Sequence, residues 1–203
     1  PVEKTVFNAT SHNNASTTAL SEVRIPLRDG KSLSASLLLP TQKIRGAVLF
    51  ISGSGVTNRY ENVTGEFTTD GKPALLLKSV ADQLAQRGIA VLAFDKRGVH
   101  ATGENFATNS VDASEFSKTT PAQLLEDALC AFEFLKAKTK LPANRIGVLG
   151  HSEGGVLALK VAEAHRDVRA LYLLGMMIRP FGEIVRYQMV DGPLRIFDAV
   201  AQG

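Results

Sequence analysis

A single cysteine, Cys130, stands among 203 residues. No disulfide can form within the chain, and cysteine usage points to no compartment. No run of eighteen apolar residues occurs, so the sequence offers no membrane-spanning helix. Lysine and arginine number 23 against 20 acidic residues, for a net charge of +3. They never gather into a run or interleave with aromatics, which gives a nucleic-acid partner no support. No His, Cys, Asp or Glu spacing suits a metal, and no cofactor-binding pattern is present, so neither a metal nor a cofactor is expected. Internal repeats and a second domain are also missing. The chain opens at Pro1 without Met or an apolar signal core. Met removal, a cleaved signal peptide and trimming would each leave such a start.

What remains is an ordinary globular composition, 44% hydrophobic and 21% charged, long enough for one domain with a real core. Residues 1–20 read as a polar arm, rich in Asn, Ser and Thr over Asn8 to Thr18, with His12 solvated within it. The arm and the missing Met lean toward export, with a cytoplasmic location left open. Ser21 to Leu27 alternates as a half-exposed strand does. Asp29-Gly30 marks a hairpin turn, and Leu33 to Leu39 is the return strand. Ala47 to Ile51 is an apolar run, a strand buried on both faces.

A Gly53-Ser54-Gly55 loop follows, and then a helix over Pro73 to Arg87 with Leu76, Val80 and Leu84 as its apolar stripe and Gly88 as its C-terminal cap. Ile89 to Phe94 is another buried strand, ending at Asp95-Lys96-Arg97-Gly98. Val99 to Thr120 reads as a polar loop. Pro121 to Lys138 is a helix with Leu125, Leu129, Phe132 and Leu135 on one face, a face that also takes Cys130 into the core. Ile146 to Leu149 is a short buried strand, a helix starts near Val156, and Val168 to Leu174 is a further strand. Two antiparallel strands followed by alternating strands and helices predict an α/β fold: a mostly parallel sheet with helices on both faces. Right-handed crossovers bring the Gly-Ser-Gly loop, the Asp-Lys-Arg-Gly loop and Ser152 to one edge of that sheet, where such sheets bind ligands.

Gly150-His151-Ser152-Glu153-Gly154 lies between the strand and the helix. It resembles the G-x-S-x-G nucleophile elbow of α/β-hydrolases, where a tight turn pushes a serine hydroxyl out of the sheet. A serine hydroxyl attacks a carbonyl once a base takes its proton, and the oxyanion that forms needs donors. The elbow supplies one from the backbone N–H after the serine, here Glu153. The Gly53-Ser54-Gly55 loop can supply the second, assigned to the Ser54 N–H with Gly55 as the neighbouring choice. Gly53, Gly55, His151 and His100 are candidate substrate-binding residues. His151 is also readable as a packing residue, since an adjacent side chain points away from that of Ser152. Asp95, Lys96 and Arg97 read as structural, with Arg97 pairing with Asp95 or a nearby acid. Arg59 and Glu61 read as braces for the loop.

Gly-Ser-Gly, then Arg59 and Glu61, then Leu84-Ala-Gln-Arg-Gly-Ile-Ala-Val-Leu, then Asp-Lys-Arg-Gly, then Gly-His-Ser-Glu-Gly-Gly together resemble bacterial α/β-hydrolases of the serine-aminopeptidase-like and dienelactone-hydrolase-like group. The resemblance runs from about Ser21 to Met177. It implies a hydrolase core over 21–178 and the start of a lid over 179–203. It also implies ester hydrolysis through an acyl-enzyme on Ser152, with a small-molecule ester or acyl compound as substrate. Amide or peptide hydrolysis by the same machinery, and a non-catalytic binding protein or inactive fragment, are the alternatives.

One departure from the family is large. The triad runs Ser, then Asp or Glu, then His, and the only histidine after Ser152 is His165. Thirteen residues along a helix places it ~20 Å away, toward the wrong edge. The segment after the next strand, Gly175-Met176-Met177-Ile178, carries no carboxylate either. The acid and the histidine are therefore expected from a further C-terminal segment or a second chain.

Overall fold

In a computed structural model, residues 18–63, 71, 74–103, 106–176, 178–179, 181–191 and 194 are described. Residues 1–17 of the expected arm, with His12, the helix start expected at Pro73, and most of 192–203 lie outside them, while residues 18–20, expected in the arm, are paired in the first strand.

Strands β1 (Thr18–Pro26) and β2 (Ser32–Pro40) form the opening hairpin, in register from Thr18 opposite Pro40 to Pro26 opposite Ser32. β3 (Gly46–Ile51) follows. A two-residue ladder then joins β4 (Asn62–Val63) to β5 (Ala74–Leu75). This ladder delays the next helix: α1 spans Lys78–Gln86, not the stretch from Pro73. Backbone N–H groups of Leu76 and Leu77 are taken by the carbonyls of Glu61 and Tyr60, so that turn cannot be helical. The buried face shifts with it. Leu77, Ala81 and Ala85 are fully buried while Leu76 is 45% exposed. Residues spaced by four lie on one face, and the two alanines let the helix approach the sheet closely.

β6 (Ile89–Phe94) leads to a region that is not the plain loop expected. Here β7 (Val99–Thr102) and β8 (Thr108–Val111) pair antiparallel, and α2 (Ala113–Lys118) follows, capped by the Asp112 carboxylate on the Glu115 N–H at 3.0 Å. α3 (Pro121–Thr139) starts on a capping box between Thr120 and Gln123, with Pro121 in its first turn. A 3₁₀ turn over Ala143–Arg145 enters β9 (Ile146–His151). Next come α4 (Glu153–Ala164), β10 (Ala170–Leu174), α5 (Phe181–Arg186) and a π turn over Tyr187–Asp191.

The main sheet runs β1-β2-β6-β3-β9-β10. β6, β3, β9 and β10 are parallel, and β2 joins β6 antiparallel. Alternation along the buried strands splits the core into two layers, as a period of two requires. Ala47, Leu49 and Ile51 of β3, with Leu92 of β6 and Val148 of β9, face α3 and α4 through Phe132, Leu135, Ala158 and Val161. Val48 and Phe50, with Val91 of β6 and Leu149 of β9, face α1. The four parallel strands end on one edge, and Ser52, Asp95, Ser152 and Gly175 follow the ends of β3, β6, β9 and β10 there. β10 is the outer strand, with Tyr172, Leu173 and Leu174 all exposed.

Candidate active site

Ser152 stands between β9 and α4 at φ 51° and ψ −118°. A non-glycine residue in that region of backbone space is strained by about 1–3 kcal/mol and is held there only by its surroundings. The surroundings here are two glycines. A Cβ on Gly150 would lie 2.1 Å from the carbonyl oxygen of Gly154, and one on Gly154 would lie 2.2 Å from that of Ile51. The turn therefore closes directly onto β3. The Ser152 backbone N–H is tied to the Leu174 carbonyl at 2.9 Å. Ser152 itself is half-buried. Glu153 is the first residue of α4, and an N–H in a helix's first turn has no partner inside the helix.

The second strand end brings the Gly-Ser-Gly loop against this turn. A Cβ on Gly53 would meet Ser152 Cβ and Glu61 Oε1 at 3.2 Å and His151 Nδ1 at 3.1 Å, so glycine is what allows the approach. Glu61, 3% exposed and at φ 53°, accepts the Gly53 N–H on Oε1. Its other oxygen lies 2.7 Å from His151 Nδ1. Lys96, 7% exposed, donates from Nζ to the Gly53 carbonyl. Burial pulls the Lys96 ammonium down to about 8, against the opposing pull of Glu153, Glu61 and Asp95. Ser54 and Gly55 follow on the exposed side of the loop.

The loop is held from behind by Arg59. Its Nη2 meets Asp95 Oδ2 at 2.7 Å, and its Nη1 meets Glu22 Oε2 at 2.8 Å and Ser36 Oγ at 2.7 Å. The β7–β8 region braces it from the side, through Asn58 Nδ2 on the Phe106 carbonyl at 2.7 Å and Asn109 Nδ2 on the Val56 carbonyl at 2.6 Å. The bracing expected of Arg59 and Glu61 is thus present in the geometry. Arg97 pairs differently from the first expectation. Asp95 is occupied by Arg59, and Arg97 instead grips the buried Asp127 of α3, at 2.8 and 2.7 Å, together with Asp29. An acid in the middle of an amphipathic helix carries no local signal for such a role.

The structure separates the histidines. His151 adjoins Ser152 but turns to Glu61. His100 sits in β7 opposite Ser110, in a narrow cleft with Leu27, Ser34 and Glu115. His165 caps the far end of α4, stacks on Phe132 at 4.4 Å and lies 3.6 Å from Glu133. Stacked there, it is half-buried. Cys130 packs beside the core in the half-buried range.

Beside the serine turn, Leu124, Val156, Leu157, Met176, Ile178 and Ile184 line an apolar cleft of ≈ 590 Å³ that also includes Glu153. Among the described residues no His, Cys, Asp or Glu cluster is arranged to hold a metal, and no helix is long and apolar enough to cross a membrane.

A mostly parallel sheet whose strand–turn–helix corner strains a serine is an α/β-hydrolase fold. Solved structures agree. The α/β-hydrolase GrgF of Penicillium sp. sh18 superposes with a TM-score of 0.60 at 20% identity, covering 91% of this chain and 55% of its own. The dienelactone hydrolase of Anabaena variabilis gives 0.54 at 22%, covering 79% and 64%. The sequence profile of the serine aminopeptidase S33 family (Hydrolase_4) matches residues 71–190, and the chain belongs to that family. Esterase EstD of Thermotoga maritima is 28% identical over 143 residues, which make up 70% of this chain and 30% of that esterase. The chain thus spans under a third of the length of that relative.

Proposed function

We propose that the chain carries the nucleophile and oxyanion site of a serine-dependent hydrolase that cleaves carboxylic esters through an acyl-enzyme. The observation that carries this reading is the strained backbone of Ser152 at the strand–helix turn, set against a glycine-permitted loop from the neighbouring strand. Ser152 Oγ attacks the ester carbonyl while a histidine takes its proton. The tetrahedral oxyanion is held by the backbone N–H groups of Glu153 and Ser54. The C–O bond to the alcohol then breaks, and the histidine returns the proton to the leaving alkoxide. Water, deprotonated by the same histidine, releases the acid.

The histidine and its carboxylate partner are proposed to come from outside the described residues, from a further segment or a second chain. In support, His165 stacks on Phe132 at the far end of α4 and His151 turns to Glu61, and the relatives are longer. Gly53 and Gly55 let the substrate approach the loop, His151 flanks it, and the cleft beside Glu153 suits a small or medium apolar acyl or alcohol group. His100 remains a candidate substrate-binding residue, in the cleft it shares with Lys96.

An esterase by name among the relatives favours esters. The family's description favours an amide or peptide bond as the second reading. Turnover of a p-nitrophenyl ester against an aminoacyl p-nitroanilide by the full-length protein separates the two. Fluorophosphonate labelling tests the core of the proposal. Mass spectrometry should find the adduct on the Ser152 peptide and none in Ser152→Ala. Equal turnover by both proteins would sink the serine mechanism, and no turnover or labelling by the full-length wild type would return the binding-protein alternative.

A further inference from the structure

Lys96 is buried at the end of β6, and its hydrogen-bond acceptor is a neutral carbonyl, that of Gly53, rather than a carboxylate. Taking an ammonium out of water is costly, and one amide oxygen does not replace its hydration. A serine or glutamine could bond the same oxygen without carrying a charge. The carboxylates of Glu153, Glu61 and Asp95 favour the charge here, yet the hydrogen bond it makes goes to a backbone carbonyl.

The atom it holds gives that bond a consequence. In a planar trans peptide unit, the C=O and N–H point in opposite directions. The carbonyl of Gly53 belongs to the same unit as the N–H of Ser54. With the oxygen drawn inward to Lys96, the Ser54 N–H is turned outward, on a residue that is exposed. Rotation of this unit is blocked from its other neighbour too, because Glu61 holds the Gly53 N–H. Glu61 is in turn fixed by its own buried, positive-φ backbone, whose N–H is taken by the Asn58 carbonyl at 2.9 Å. Gly53 is thus pinned on both sides, beside Ser152. A cation on an amide oxygen also draws electron density through the amide resonance, so the N–H of that unit becomes a stronger donor.

We propose that Lys96 is a positioning residue for hydrolysis: by holding the Gly53 carbonyl, it orients and polarises the peptide unit whose N–H, that of Ser54, stabilises the oxyanion. This rests on the serine-hydrolase reading above. The groups around Lys96 are the carboxylates of Glu61, Glu153 and Asp95, with His151 against Glu61, and Lys31, Arg97, His100 and Glu115 along the cleft it shares with them. Glu61, Glu153 and Asp95 favour the ammonium.

The test uses the full-length protein and Lys96→Met, which keeps the length of the side chain and removes the donor and charge. In p-nitrophenyl acetate hydrolysis, kcat should fall about 10- to 100-fold, short of the loss from deleting an oxyanion donor outright, while KM stays within about threefold. A folded Lys96→Met with kcat within twofold of wild type overturns the proposal. A second readout needs neither turnover nor a variant that folds. In ¹⁵N-labelled wild-type protein, the Ser54 amide shift should titrate with a midpoint near 8, as Lys96 loses its charge. A Ser54 amide nitrogen that stays flat until past the ordinary lysine range, to about pH 11.5, overturns the proposal. Should Ser152→Ala retain full turnover while the Ser54 amide titrates, the serine mechanism fails and the Lys96 contact stands.

Discussion

Arg59 and Asp95 form a two-pronged pair in which both side chains are 1% exposed, with Nε on Oδ1 at 3.1 Å and Nη2 on Oδ2 at 2.7 Å. The pair joins the end of β6 to the loop that carries Ser54. Asp95 does more than meet the guanidinium: its oxygens also accept the backbone N–H groups of Arg59 and Ala101, each at 2.8 Å. Removing one member of a buried ion pair costs about 3–5 kcal/mol. Asp95→Ala is expected to reach that range in urea unfolding and Arg59→Met to cost less, since Asp95 keeps its two backbone donors. The reverse order would show that the pair, and not the carboxylate's backbone contacts, anchors the loop.

Ser152 holds a backbone conformation that favours glycine. Replacing it with glycine removes both the hydroxyl and the strain. Ser152→Gly should therefore lose turnover entirely yet be more stable than wild type by about 1 kcal/mol, the lower end of what such strain stores. Thermal unfolding of the two proteins side by side checks this. An unchanged or lowered midpoint would mean that the turn is not strained by its serine.

Gly154 marks where α4 touches β3. An alanine there puts Cβ 2.2 Å from the Ile51 carbonyl oxygen, and backbone cannot step aside as a flexible side chain can. Gly154→Ala should cost about 3 kcal/mol or more, the top of the range for overpacking, and should move the Ser152 turn away from the Gly53 loop. Gly182→Ala in α5 meets nothing within 4 Å and should be neutral or stabilising by up to about 1 kcal/mol. Chemical denaturation of both variants gives the contrast.

The parts legible in the sequence were those with a local signal. Apolar runs such as Ala47 to Ile51 and Ile89 to Phe94, bounded by turn residues, read as strands covered on both sides, and the glycines around Ser152 mark a tight turn. The parts that were not legible depend on partners distant in sequence. Nothing near Asp127 says that Arg97, thirty residues earlier, will bury against it. The β4–β5 ladder that postpones α1 is only two residues long on each side, too short for any periodicity to register. Lys96 read as one charge in a polar turn because its role depends on Gly53, forty-three residues away. Helix Pro121–Thr139, by contrast, came within one residue of its expected end, since its start is set by a capping box and its length by an uninterrupted apolar stripe.

The buried lysine also sets a pH dependence of stability whose sign can be worked out. Lys96 titrates near 8 in the folded chain and at 10.5 when free of burial. Below about 8 both forms are protonated, and the cost of burying the ammonium is constant. Between 8 and 10.5 the unfolded chain binds more protons than the folded one, so stability from this group rises with pH. The depression corresponds to roughly 3 kcal/mol across that window. Other groups titrate there as well, so the informative quantity is the difference between wild type and Lys96→Met, followed by urea unfolding at intervals from pH 7 to about 10.5. The wild type should gain on the variant steadily above pH 8. A constant difference would place the Lys96 pKa at its ordinary value, with the carboxylates of Glu153, Glu61 and Asp95 offsetting the cost of burial. The neutral amine still donates to the Gly53 carbonyl, so the gain comes without loosening the loop. Above pH 8, then, stability should climb while kcat declines, because the hydrogen bond survives and the charge that polarises the Ser54 N–H does not.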